Sequence, residues 1–208
     1  MAYLVLVRHG QSEWNLLGQW TGLTDVALTD KGREEARQAG SLLESIDLHR
    51  GYTSKLQRAK HTLDEIIEHL GKQDLEHTEH DELNERDYGD LTGKNKWQVK
   101  EEHGEQQFMK WRRSWDHPVP GGETLKDVAG RVLPFYERHV LEDLRTGKNV
   151  IVAAHGNSLR ALMKHLEEVA DHQAHEVEIS TGEVHMYEID KDGKVIQKIV
   201  LGASTSDH

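Results

Sequence analysis

The sequence predicts an α/β fold with a mostly parallel sheet, and three observations carry that expectation. Two apolar runs, Leu4–Val7 and Val150–Ala154, have the length and composition of strands buried on both faces. Between and after them lie segments of helical periodicity, so strands and helices alternate. Near the end, Val184–Ile189 and Lys194–Leu201 flank Asp192-Gly193, a hairpin signal.

Each element has a local reason. The apolar opening, Met1–Val7, meets Arg8 and His9 too soon for the core of a secretion signal, so it reads as the first strand. Thr29 and Asp30 offer an N-cap for a helix running to about Leu43. Ser54 offers another, before a helix whose Ala59, Leu63, Ile66, Ile67 and Leu70 share a face and whose end is marked by Gly71. From about Lys94 to Trp115 the pattern is helical but irregular, as for a helix lying over one edge of the sheet. Thr124 with Asp127 forms a capping-box pattern ahead of Val128, Val132, Phe135 and Tyr136. A last helix is expected from about Ser158 to Glu168, and residues 1–208 read as one domain with neither repeat nor linker.

Composition narrows the function. Apolar residues make up 36% and charged residues 30%, as in soluble globular proteins, and no run approaches a membrane span of about 20 residues. The net charge of −11 argues against nucleic acid or anionic membrane as partner. An anionic substrate therefore requires a local basic cluster inside an acidic protein. The absence of cysteine rules out disulfides, thiolate metal sites and cysteine nucleophiles, and fits a cytoplasmic protein. Of 15 histidines, His69, His77, His80, His172 and His175 sit among acidic residues without metal-ligand spacing and are expected at the solvated surface.

Two histidines stand apart by context. Leu4–Val7 runs into Arg8-His9-Gly10, and Val150–Ala154 runs into His155-Gly156-Asn157. Both therefore lie where a buried strand leaves its carboxyl end, the edge at which open α/β sheets bind ligands. Either His-Gly alone would be an ordinary strand exit; the pair points to a shared site. Arg8 beside His9 disfavours a metal, whereas a neutral imidazole is a good nucleophile toward phosphorus. Phosphoryl transfer also needs fork-shaped cations, which Arg8 and Arg58 can supply, and a helix N-terminus near Ser54 adds to the field. No Walker loop, dinucleotide fingerprint or kinase motif set is present.

Arg8-His9-Gly10-Gln11-Ser12-Glu13-Trp14-Asn15 resembles the signature of the histidine phosphatase superfamily, with the Ser-x-Trp-Asn ending typical of its phosphoglycerate mutases. Thr53–Ala59, Leu83–Lys96, Trp111-Arg112-Arg113 and Ala154–Leu162 resemble further mutase motifs, and the likeness runs from Tyr3 to about Leu201. The resemblance implies three layers, α/β/α, with helices on both faces of the sheet. It implies His9 as the phosphorylated nucleophile, with Arg8, Arg58 and His155 around the phosphoryl group and Asn15 and Gly156 adding hydrogen bonds. Glu85 would exchange a proton with the substrate hydroxyl. Tyr88, Lys96, Arg112 and Arg113 would hold the carboxylate and second phosphate of a phosphoglycerate, with Ser12, Thr21, Gly22 and Asn157 alongside. The implied cycle interconverts 3- and 2-phosphoglycerate without metal, primed by 2,3-bisphosphoglycerate, in a monomer or homodimer.

Only ten residues separate Arg113 from Thr124, fewer than in many mutases, and Gly121-Gly122-Glu123-Thr124 also resembles phosphatase branches. The tail after Leu201 is short, so an open site that admits water is expected. The competing reading is a broad-specificity phosphomonoesterase, in which water takes the phosphoryl group from His9. Lys96 with Arg112 and Arg113 speaks against it, because a promiscuous phosphatase needs no carboxylate clamp. A non-catalytic binding module would be expected to lack the nucleophile or the base, and neither is missing.

Overall fold

The computed structural model describes residues 1–202, so the tail beyond them lies outside the described residues. Its strands are β1 (Ala2–Arg8), β2 (Arg50–Thr53), β3 (His77–Glu79), β4 (Val150–Ala154), β5 (Val184–Ile189) and β6 (Val195–Leu201). They form one sheet in the order β3-β2-β4-β1-β5-β6. The first four are mutually parallel, and β5 runs antiparallel to both β1 and β6. The hairpin between β5 and β6 closes through Asp190, whose carbonyl accepts the Gly193 N–H, with Gly193 at φ 87°. Strands β2 and β3 have no sequence signal. Arg-Gly-Tyr-Thr and His-Thr-Glu are too short and polar to show a period, and β4 imposes β2 by pairing with it.

Helices cover both faces. They are α1 (Glu13–Leu16), α2 (Asp30–Ser41), α3 (Gln57–His69), α4 (Lys96–Arg113), α5 (Leu125–Phe135), α6 (Leu141–Arg145) and α7 (Gly156–Leu166). Side chains alternate along each strand. Leu4, Leu6, Val150 and Val152 meet Val128, Val132 and Phe135 of α5 and Leu159, Leu162 and Met163 of α7. Val5, Val7, Ile151 and Ala153 point the other way, against Ala39 of α2 and Leu63, Ile66 and Ile67 of α3. This is the three-layer α/β/α arrangement.

Caps at Thr29 and Thr124 form as expected: Thr29 accepts the Gly32 N–H, and Thr124 and Asp127 complete a capping box. Four local expectations need correction. Ser54 does not cap α3, whose N-cap is Leu56; its hydroxyl is engaged by His155 instead. The irregular helix α4, broken at Gly104 with φ 79°, does not lie on a sheet edge. Its Val99, Phe108 and Trp111 pack with Trp20, Tyr88, Leu91 and Val119 in a cluster containing no strand residue. Helix α7 starts at Gly156, two residues early, directly from the β4 exit. Finally, His80 is not a solvated surface residue: it is half-buried, with its ring 4.6 Å from that of Phe135 and 5.4 Å from that of His139.

Candidate active site

Register brings the two histidines together. Arg8 of β1 pairs with Ala154 of β4, and the His9 N–H donates to the Ala154 carbonyl at 2.9 Å. Both chains then leave the sheet at the same edge. The β1 exit is compressed against α2: a Cβ on Gly10 would overlap the Gly32 carbonyl, and one on Gly32 would overlap the Gln11 carbonyl. The Gly10 N–H donates to Thr62 Oγ1 at 3.1 Å, which ties the turn to α3 as well.

His9 Nδ1 lies 2.7 Å from the Gly10 carbonyl, an acceptor, so the ring hydrogen sits there and Nε2 keeps its lone pair. His155 is fully buried beside it, with Nε2 2.7 Å from Ser54 Oγ. The fully buried Ser54 hydroxyl accepts the Leu56 N–H and has no acceptor for its own hydrogen among the described residues other than Nε2, so we assign the ring hydrogen of His155 to Nδ1. Burial holds His9 well below the ordinary histidine range, helped by the charges of Arg58 and Arg8. His155 is depressed likewise, by burial first, then by Arg58. Both rings are neutral.

The arginines are braced by backbone. Arg8 Nη1 donates to the Ile179 carbonyl at 2.9 Å. Arg58 Nη1 and Nη2 donate to the carbonyls of Thr24 and Gly22, each at 2.9 Å. That leaves Arg8 Nε, Arg58 Nε and His155 Nδ1 buried with no partner in the protein. Three such donors around a neutral nucleophile suit the oxygens of one phosphoryl group.

A second group of cations lies along the same cavity: Lys96, Arg112 and Arg113, at the two ends of α4, with Arg160 of α7. Burial pushes Lys96 down to about 8, with Arg8 and Arg112 adding to the effect and Glu85 opposing it. Burial likewise lowers Arg112 and takes Arg160 to about 10. Arg113 forms an ion pair with Glu178 at the rim.

Glu85 is 8% exposed and lines the cavity. Its Oε1 accepts the Arg86 N–H at 2.8 Å, the Asn157 N–H at 3.2 Å and Asn157 Nδ2 at 3.1 Å. Asn157 Nδ2 also donates to Tyr88 Oη at 2.8 Å. Arg131 fixes the loop from behind, donating to the carbonyls of Glu82, Asn84 and Glu85 and gripping Glu123 through both carboxylate oxygens.

Most residues singled out from the sequence line this one cavity: Arg8, His9, Asn15, Thr21, Gly22, Arg58, Glu85, Tyr88, Lys96, Arg112, Arg113, Gly156 and Asn157. Ser12 and His155 do not. Ser12 is fully buried at the N-cap of α1, where its N–H and O–H donate to Asn15 Oδ1 at 3.0 and 2.9 Å, so it orients Asn15. Trp20, Arg160, Glu178, Ile179 and Ser180 also line the cavity and were assigned no role from the sequence. Arg160, three residues after Asn157 on α7, could have been found from helical spacing. Glu178–Ser180 could not, since the chain brings it back only on the way into β5.

Among the described residues there is no group of three or more histidine, cysteine or acidic side chains arranged to hold a metal. Residues 4–201 match the family model described as histidine phosphatase superfamily (branch 1). A protein of Parvibaculum lavamentivorans, named 2,3-bisphosphoglycerate-dependent phosphoglycerate mutase, is 48% identical over 200 residues, 95% of each chain. One of the same name from Cytophaga hutchinsonii is 46% identical over 188 residues, covering 90% of this chain and 88% of its own. Among solved structures, mycobacterial hydrolase 1 superposes with a TM-score of 0.85 at 24% identity, covering 98% of this chain and 99% of its own. The alpha-ribazole phosphatase of Shigella flexneri has a TM-score of 0.80 at 22% identity, with 98% and 100% covered. These two likenesses speak for the fold, and the sequence matches for the family. With a neutral strand-end histidine, its buried arginines and a family match over nearly its whole length, the chain belongs to branch 1 of the histidine phosphatase superfamily.

Proposed function

We propose that this protein interconverts 3-phosphoglycerate and 2-phosphoglycerate through a phosphohistidine at His9, primed by 2,3-bisphosphoglycerate. The observation that carries the reading is that the cavity has two cationic ends. One is the set of unpartnered donors around His9; the other is Lys96, Arg112 and Arg113. A ligand with an anionic group at each end of a three-carbon chain satisfies both. The close relatives bearing the mutase name support the same substrate class.

In this reading His9 Nε2 attacks phosphorus as the bond to the ester oxygen breaks, and Glu85 gives a proton to the departing alkoxide. Arg8, Arg58 and His155 Nδ1 stabilise the charge on the transferring group. In the return step Glu85 takes the proton from an acceptor hydroxyl, whose oxygen attacks the phosphohistidine. Asn15, held by Ser12, and the backbone at Gly156 donate to the same phosphoryl oxygens. Lys96, Arg112 and Arg113 grip the far end, beside Tyr88, Thr21, Gly22 and Asn157. No helix of the described residues is long and apolar enough to cross a membrane, and we place the enzyme in the cytoplasm as a monomer or homodimer acting as a single catalytic domain.

The test is conversion of 3-phosphoglycerate in EDTA, with and without 2,3-bisphosphoglycerate, while free phosphate is followed. Rapid isomerisation stimulated by the bisphosphate, with little phosphate released, is the expected result. Phosphate release without isomerisation would instead mark a phosphatase. In either case His9→Ala should lose phosphoryl transfer by about a thousandfold or more.

A further inference from the structure

The three N–H groups that reach Glu85 all converge on Oε1. No donor among the described residues hydrogen-bonds to Oε2. The two oxygens of this carboxylate are therefore unequal: Oε1 is saturated as an acceptor, and Oε2 is the one free to carry a proton toward the cavity. One of the three donors, Asn157 Nδ2, belongs to a side-chain amide that could equally present its oxygen. Something must decide which way it faces.

That decision falls to Arg160. Its guanidinium Nη1 donates to Asn157 Oδ1 at 3.1 Å, and a guanidinium can only donate. The amide oxygen must face Arg160, so Nδ2 must face Glu85 Oε1 and Tyr88 Oη. Arg160 is itself immobilised. It is 4% exposed, its Nε donates to the Val177 carbonyl at 2.8 Å, and its Nη2 donates to the carbonyls of Ala174 at 2.8 Å and Arg113 at 3.3 Å. It stays charged at neutral pH although burial lowers it to about 10. The last of these carbonyls belongs to a residue of the distal cationic group. One side chain thus braces the end of the clamp helix and the orientation of the amide on the proton donor.

We propose that Arg160 is a positioning residue that, through Asn157, determines which oxygen of Glu85 exchanges the proton with the substrate. Without Arg160 on its oxygen the amide could also turn, placing Oδ1 toward Glu85 Oε1 whenever the carboxyl is protonated. Two facing acceptors repel unless a proton lies between them, so the carboxyl hydrogen would settle on Oε1 and be directed away from the reacting oxygen. A lysine at position 160 keeps the charge but cannot span four acceptors from one nitrogen. The proposal rests on Glu85 as the acid/base group of the proposed function.

The test separates proton delivery from everything else by varying the leaving group within one half-reaction, phosphorylation of His9 under single turnover. An alkoxide leaving from 2,3-bisphosphoglycerate or glycerol 3-phosphate needs the proton; 4-nitrophenolate leaving from 4-nitrophenyl phosphate does not. For Arg160→Lys, His9 phosphorylation by the alkyl phosphates is expected to slow about 10- to 100-fold, the low end of general-acid effects, while the 4-nitrophenyl phosphate burst changes less than about threefold. Asn157→Ala leaves the carbonyl contacts of Arg160 in place and, even if Arg160→Lys does not fold, should slow His9 phosphorylation by the alkyl phosphates at least about tenfold more than by 4-nitrophenyl phosphate, whatever it does to binding. The double variant should be no worse than either single one, because both act on one relay. Equal slowing with both kinds of donor, or fully additive losses, would overturn the proposal and leave Arg160 a packing residue. Since glycerol 3-phosphate reports alkoxide departure in a phosphatase as well, failure of the mutase reading is seen separately, in the isomerisation assay.

Discussion

The rings of His9 and His155 meet edge to face, with centroids 5.0 Å apart and planes at 60°. Each imidazole is buried, and each feels the Arg58 charge. Two adjacent rings beside arginines cannot both be protonated at low cost, so their packing selects the uncharged forms. A neutral His9 is the form that can attack phosphorus.

The acid side of the rate profile should reflect this. kcat/KM reports the free enzyme and the free substrate; once corrected for the substrate phosphate's own ionisation at about pH 6, it is expected to stay level as pH falls through 6.5, the ordinary histidine value. Arg58→Gln removes the arginine charge that depresses His9 most and should move the acid limb upward while slowing the reaction. A wild-type limb centred at 6.5 would mean that His9 is solvated.

Stability should follow the same titration. Below pH 6.5 the unfolded chain gains protons on these two histidines and the native protein does not, so stability is full above 6.5 and is lost as pH falls toward the depressed native values. Each histidine contributes a slope of up to about 1.4 kcal/mol per pH unit. Denaturant unfolding from pH 7 to pH 5 measures it, and His155→Asn should show the shallower slope.

Lys96 should set an alkaline limb. With burial holding it at about 8, it loses its charge in the free enzyme just above neutrality, so kcat/KM should fall above that pH. A bound anion restores the proton, and the corresponding limb in kcat should lie higher. Lys96→Met should abolish the kcat/KM limb, along with most of the affinity. An unchanged limb in that variant would assign it to another group.

The contact of β1's exit with α2 leaves no room for a side chain. Gly32→Ala pushes a methyl group into the Gln11 carbonyl, which also accepts the Thr29 N–H at 2.9 Å. A cost of about 1–3 kcal/mol is expected from overpacking, together with lower activity as the His9 turn shifts. Urea unfolding and the isomerisation rate check the two effects together.

Glu178 competes with the substrate for Arg113. Its side chain is 59% exposed, whereas the backbone on either side is pinned by Arg160 at Val177 and by Arg8 at Ile179. An anion bound by Arg113 must displace it. Glu178→Gln should therefore lower the KM for phosphoglycerate by about two- to fivefold, the scale of an exposed ion pair. A raised KM would show that Glu178 aligns Arg113 instead.

Local chemistry made much of this protein legible from its sequence. Leu4–Val7 and Val150–Ala154 announce buried strands, Thr29 and Thr124 announce helix starts, and His9 and His155 stand out because each follows such a strand. These signals need only neighbouring residues. The strands Arg50–Thr53 and His77–Glu79 were not legible, because β4 and β2 hold them in the sheet by backbone pairing that is indifferent to side-chain pattern. Ser54 looked like a cap until a histidine 101 residues away took its hydroxyl. The pairing of Glu178 with Arg113 and the relay from Arg160 to Glu85 likewise join segments far apart in the chain. The sequence alone determined which residues could do the chemistry. Only the tertiary structure decided how they are charged, braced and aimed, because burial and hydrogen-bond saturation depend on what the folded chain brings alongside them.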